Sequence, residues 1–178
     1  MANNCFVDID ITVATPEEVG KLFKILTEAK RAADREERGI YIGCERRYLF
    51  EAGIAQSGSV VSISGWVKWG FEDIEVWKFL AWLMARAGVK DFRMKYDECG
   101  ALLYGEYRYD LKNLTDRYLP QDHYPAEEDG DVEKAFQQYG VTRVLGCTQR
   151  AAARRLFYAY FFDNSSFFDW IKHKATLN

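Results

Sequence analysis

The run Ser59–Asp110, SVVSISGWVKWGFEDIEVWKFLAWLMARAGVKDFRMKYDECGALLYGEYRYD, switches its hydrophobic period from two residues to about 3.6 and back again. Val61 and Ile63 alternate with polar neighbours, as in a strand. Glu72 and Asp73 then open a segment in which Ile74, Trp77, Phe79, Leu80, Trp82, Leu83 and Met84 recur at helical spacing. Gly88 stands where a helix can end on a residue of positive φ. Val89–Tyr96 and Leu102–Tyr109 return to the strand pattern around the turn Asp97-Glu98-Cys99-Gly100. The run holds four of the five tryptophans, so most of the large aromatic volume sits on one strand–helix–strand–strand unit.

The preceding residues repeat this order. Cys5, Val7, Ile9, Ile11 and Val13 alternate with Asp8, Asp10 and Thr12, which predicts a half-buried strand. Thr15 and Glu18 have the spacing of a reciprocal capping box, and Pro16 fits the first helical position. Val19, Leu22, Phe23, Leu26 and Ala29 supply the apolar stripe of that helix, which fades in the charged run Lys30–Arg38 and stops by Gly39. Ile40–Glu51 reads as a strand and Gly53–Gly58 as a turn-rich connection. Two such halves can bury their apolar faces together. The expected fold is therefore α+β, a ferredoxin-like two-layer sandwich (βαββαβ plus an extra hairpin strand) over residues 1–110. A barrel would not use two evenly spaced amphipathic helices.

Past Asp110 the pattern ends. Residues 111–131 read as an acidic linker or irregular insertion, with Pro120 and Pro125 in it, and residues 132–178 as a helical extension. Val132, Ala135, Phe136 and Tyr139 form one helical face, Gln149–Phe162 a second helix and Phe167–His173 a short third. The extension is rich in aromatic residues and too short to build its own core, so it is expected to dock on the sheet layer.

The chain has 178 residues, 48% of them hydrophobic and 16% aromatic, enough for a substantial core and too apolar for wholesale disorder. Its net charge of −3 hides an uneven spread. Residues 111–135 carry 3 basic and 7 acidic side chains, and residues 136–178 carry 6 and 2. Cys5, Cys44, Cys99 and Cys147 form no CxxC pair, no apolar run reaches spanning length, and Met1–Asn4 lacks the character of a signal peptide. A cytosolic protein with reduced thiols is expected.

Three segments carry a resemblance. The opening MANNCFVDIDITV, the segment SGWVKWGF and the hairpin FRMKYDECGALLYGEY resemble the YubB-type ferredoxin-like domain family of plasmid and phage accessory proteins, over residues 1–110. Cys99 departs from the small or proline-like turn residue expected in the hairpin, and the helical extension has no counterpart. The resemblance implies an accessory protein of a mobile element with a ferredoxin-like fold, and it implies no catalytic residues.

The residues themselves offer little chemistry. His123 and His173 are the only histidines, and neither has a partner at metal-ligand spacing, so no metal and no cofactor is expected. Gly53–Gly58 lacks the Gly-Lys-Ser/Thr of a phosphate loop. Cys99 is the most exposed candidate nucleophile but has no base in view, and Asp97 and Glu98 read as solvated turn residues. Trp66, Trp69, Tyr104, Tyr107 and Tyr109, near Lys68, Arg93, Lys95 and Arg108, are the residue types of a base-stacking sheet, although no RNP-like string is present.

Two charged features complete the reading. Asp122, Glu127, Glu128, Asp129, Asp131 and Glu133 form an acidic surface suited to a basic partner. Arg143, Arg150, Arg154 and Arg155 form a basic one, with Arg150 and Arg154 one helical turn apart. The expected function is non-enzymatic binding to a host protein complex, as an inhibitor of a defence system such as CRISPR–Cas. The alternative is a single-stranded nucleic-acid-binding protein of plasmid or phage replication.

Overall fold

The strand Asn4–Val13 (β1) lies inside a sheet, paired antiparallel on both sides, and its alternation decides which face is the core. Cys5, Val7, Ile9, Ile11 and Val13 are buried, while Phe6, Asp8, Asp10 and Thr12 point to the other side. The computed structural model describes residues 4–35, 40–41, 48–68, 73–84, 86–111, 113–125 and 132–145. Around β1 these form α1 (Pro16–Arg35), β2 (Ile40–Tyr41), β3 (Tyr48–Ser57), β4 (Val60–Lys68), α2 (Asp73–Met84), β5 (Val89–Glu98), β6 (Leu103–Tyr109), β7 (Leu114–Leu119), α3 (Val132–Tyr139) and β8 (Val141–Leu145). The sheet order is β2-β3-β4-β1-β5-β6-β7-β8, with every neighbouring pair antiparallel.

α1 starts on its capping box. The Glu18 N–H donates to Thr15 Oγ1 at 3.3 Å and the Thr15 N–H to Glu18 Oε2 at 3.1 Å. Val19, Leu22, Leu26 and Ala29 of α1 and Val76, Trp77, Leu80 and Leu83 of α2 join the inward residues of β1, β4 and β5 in one core. Trp77 meets Tyr109 edge-on at 6.4 Å and Phe79 meets Phe92 at 6.1 Å, which fixes α2 over β5 and β6. α3 packs on the opposite face, where Phe136 lies 5.7 Å from Tyr104 and under the Arg117 guanidinium at 4.3 Å. No helix among the described residues is long and apolar enough to cross a membrane.

This architecture corrects the expected fold class. The described residues are about 49% strand and 38% helical, and a single seven-stranded antiparallel sheet, with the two-residue β2 at its edge, replaces the ferredoxin-like two-layer sandwich. Leu114–Leu119, expected in an irregular linker, is β7, and Val141–Leu145, expected in a helical extension, is β8. Both strands were illegible for one reason. Their inward positions include Asp116 and Arg143, which satisfy each other across the ladder, so neither segment shows an alternation of apolar and polar residues.

Two local readings also change. β3 runs through to Ser57, and the two residues Gly58 and Ser59, with Gly58 at φ 55°, make the turn into β4. Glu51, at φ 51°, shifts the register between Phe50 and Gly53, and this irregularity breaks the period that the sequence shows. Gly88 does not have the positive φ of a helix end. A Cβ there would come within 3.0 Å of Glu18 Oε1 and 3.2 Å of the Ala14 Cβ, so a side chain at this position would press on the start of α1.

Candidate functional site

The face of the sheet opposite α1 and α2 has α3 on it only at the β6–β7 end among the described residues. Elsewhere the strand register arranges its outward side chains in rows. Phe50, Trp66 and Phe6 are successive partners across β3, β4 and β1. They are 37%, 42% and 37% exposed, high values for such large apolar side chains, and the Phe6 and Trp66 rings meet edge-on at 5.2 Å. The same row continues through Asp97 to Tyr104.

The next two rows carry charge that is mostly satisfied within the face. Asp8, Lys95, Glu106 and Arg117 follow one another from β1 to β7, and Asp10, Arg93 and Arg108 make the row below. Arg93 pairs with Glu106 at 2.5 Å, Arg108 with Asp91 at 3.5 Å and Arg117 with Glu133 at 3.1 Å. The Ser62 hydroxyl donates to Asp10 at 2.6 Å. Lys95 has no ion-pair partner among the described residues.

α3 turns the β5–β6–β7 part of this face into a cleft of about 220 Å³. Tyr104 and Phe136 give it aromatic walls, and Arg93, Lys95, Arg117, Glu106 and Glu133 line it with charge. Burial raises the pKa of the Tyr104 phenol, and the nearby Asp97 and Glu106 carboxylates raise it further, so the phenol stays a neutral donor.

A second polar cluster lies on the helix-covered side. The Tyr96 hydroxyl donates to Asp116 Oδ1 at 3.1 Å, and the Tyr107 hydroxyl to Asp73 Oδ1 at 3.1 Å, at the start of α2. Arg143 donates from Nε to Asp116 Oδ2 at 3.2 Å and from Nη2 to Asp73 Oδ1 at 3.2 Å. Burial pushes the Asp116 pKa up, against hydrogen bonds from Arg143 and Tyr96 that pull it down. Desolvation, with Asp116 next in effect, raises both tyrosines. Each of these five side chains bonds to another member of the cluster, which ties β7, β8 and α2 together. It is a structural network rather than an open reaction site.

The structure separates the residues singled out in the sequence. Of the acidic surface, Asp122 is exposed in a 3-10 turn and Glu133 is spent on Arg117, while Glu127, Glu128, Asp129 and Asp131 lie outside the described residues. Of the basic group, Arg143 belongs to the Asp116 network, and Arg150, Arg154 and Arg155 lie outside the described residues, as does the expected docking of the extension after Leu145. Tyr107 and Tyr109 are 3% and 2% exposed on the helix side, which removes them from any stacking platform. The position of Trp69 and the Lys68 side chain lie outside the described set.

Cys99 is exposed in the 3-10 turn between β5 and β6, and Cys5 is buried. His123 stacks on Tyr139 at 3.8 Å. Among the described residues no three His, Cys, Asp or Glu side chains group as metal ligands. Phe6 and Phe50 were not singled out. Phe6 had a signal, an aromatic residue at an outward position of β1, whereas Phe50 had none because the irregularity at Glu51 hides its facing.

Comparison of the chain with protein-family models, with curated proteins and with solved structures finds no match.

Proposed function

We propose that the chain is a non-enzymatic binding protein that engages a protein partner through the uncovered sheet face. The observation that carries this reading is the row Phe50–Trp66–Phe6, three exposed aromatic side chains flanked by charges that are largely paired among themselves. Aromatic anchors of this kind dominate the energetics of protein interfaces. The resemblance of residues 1–110 to plasmid and phage accessory proteins supports a host defence complex, CRISPR–Cas being the concrete example, as the partner that is inhibited. The acidic run Asp122–Glu133 is a weaker anchor, because Glu133 already has its counter-ion in Arg117.

Binding of single-stranded nucleic acid is the second reading, and the aromatic row beside Lys95 favours it. Two features count against it. Asp8, Asp10 and Asp97 share the face with the rings, where they oppose the successive phosphates of a strand lying along the row, and Arg93, Arg108 and Arg117 each have a carboxylate partner.

The test expresses the chain in cells whose CRISPR–Cas system blocks an infecting phage, and compares it with the double variant Phe6→Ala, Trp66→Ala. Wild type restores infection, and the double variant fails to do so while keeping its thermal midpoint. Infection still blocked by wild type, or equal protection by both forms, refutes the reading. Quenching of tryptophan emission by oligo(dT) at low salt, lost in the same variant, would install the nucleic-acid reading in its place.

A further inference from the structure

We propose that the cleft between α3 and strands β5–β7 is a carboxylate-binding subsite, which takes an acidic side chain of the polypeptide that docks on the Phe50–Trp66–Phe6 row. The proposal rests on the protein-binding reading above and specifies what the partner must present. Its first support is charge. Three cations, Arg93, Lys95 and Arg117, line the cleft against two carboxylates, Glu106 and Glu133. The two arginines take up those two carboxylates, at 2.5 and 3.1 Å. Lys95 is left over: it makes no ion pair among the described residues, although Asp8 and Glu106 stand opposite it on the neighbouring strands.

Size is the second support. The cleft holds about 220 Å³, several water molecules' worth but short of the roughly 300 Å³ at which pockets for drug-sized ligands begin. One side chain fits, whereas a dinucleotide or a large cofactor does not. Its walls suit an acidic side chain: the Tyr104 and Phe136 rings for the methylenes, and the Lys95 ammonium with the neutral Tyr104 hydroxyl for the oxygens.

Position is the third. Tyr104 lies in the aromatic row, two strands from Phe6 through Asp97. Strands are spaced by about 4.8 Å and an extended chain rises about 3.3 Å per residue, so an acidic residue some three positions from an apolar anchor reaches both subsites at once. A partner segment with that pattern is the occupant to which the geometry points.

The experiment titrates the isotopically labelled full chain with N-acetyl-glutamate methylamide, N-acetyl-glutamine methylamide and inorganic phosphate, following the Lys95 side-chain and Tyr104 ring resonances by NMR. The glutamate probe is expected to shift both resonances saturably. The glutamine probe, and the glutamate probe on Lys95→Gln, should bind about fivefold more weakly, the scale of one partly exposed charge pair. Equal response to both probes overturns the proposal, as does a response spread evenly over all lysines. Tighter saturation by inorganic phosphate also overturns it, in favour of a phosphate site. Wild type alone decides between the two amino-acid probes, so the outcome does not depend on the variant folding. Trp66→Ala should keep the glutamate response, which separates failure of this subsite from failure of the aromatic docking face.

Discussion

Arg143, on the last described strand, donates from Nε and Nη2 to a single oxygen of the buried Asp116 carboxylate on β7. Nη2 also lies 3.2 Å from Asp73, so one guanidinium holds an edge strand, its neighbour and the start of α2.

Arg143→Met should therefore cost about 2 kcal/mol at neutral pH. That is below the range for breaking a fully buried pair, because the Arg143 side chain is 48% exposed. The pH dependence has a definite sign. The pKa of Asp116 in the folded protein is raised above its ordinary value, so folding favours its protonated form and this group adds stability as pH falls toward the unfolded value of 3.8. Without Arg143 the pKa rises further. Urea titrations should show the deficit of the variant shrinking from pH 7 to pH 5, and a constant deficit would contradict the role of Asp116.

Glu18 makes the opposite case. The Gly88 N–H donates to its Oε1 at 2.6 Å, and this bond, ahead of the contacts with Thr15, lowers its pKa from 4.5. A lowered folded-state pKa contributes stability that is fully present above 4.5 and is lost as pH falls through the folded value. Glu18→Gln should lower the urea midpoint at pH 7 and converge on wild type as pH falls below 4.5 and through the folded value. Parallel pH profiles would show that the carboxylate charge contributes nothing.

Gly105 sits beneath the Tyr96 ring, which crosses it to reach Asp116. A Cβ at Gly105 would collide with the Tyr96 hydroxyl end and stand 2.8 Å from the Arg117 carbonyl oxygen. Gly105→Ala is expected to cost about 1–3 kcal/mol, the range for overpacking, with backbone on one side unable to yield. Thermal unfolding measures it, and a midpoint within a degree of wild type would mean that Tyr96 moves aside freely.

The acidic run provides a control for the docking face. Changing Asp122, Glu127, Glu128, Asp129 and Asp131 to Ser or Asn should leave inhibition in the phage assay intact, since the aromatic row is untouched. Loss of inhibition with an unchanged thermal midpoint would transfer the binding site to that run.

How far the sequence could be read follows from where polar residues sit. β1, β4, β5, β6, α1 and α2 were legible because their inward positions are apolar at strand or helix period. α3 was legible because Val132, Phe136 and Tyr139 keep helical spacing. The open face was legible in part. Trp66, Lys95 and Arg93 stood out by type, and the outward phase of Phe6 within β1 was available to be read. Phe50 was hidden by the register shift at Glu51, and the cleft by the crossing of α3 to the far side of the sheet.

By itself, the sequence determined the local periods, the capping box of Thr15 and Glu18, and the strand–helix alternation up to Asp110, since these depend on residues within a few positions of one another. Only the tertiary structure decided that the sheet continues through β7 and β8, that helices lie on both of its faces, and that Lys95 makes no ion pair among the described residues. The physical reason is distance along the chain. Asp116 and Arg143 become compatible with strand interiors only when each meets the other, 27 residues away, and a period counted along the chain cannot register a partner that folding brings across the ladder.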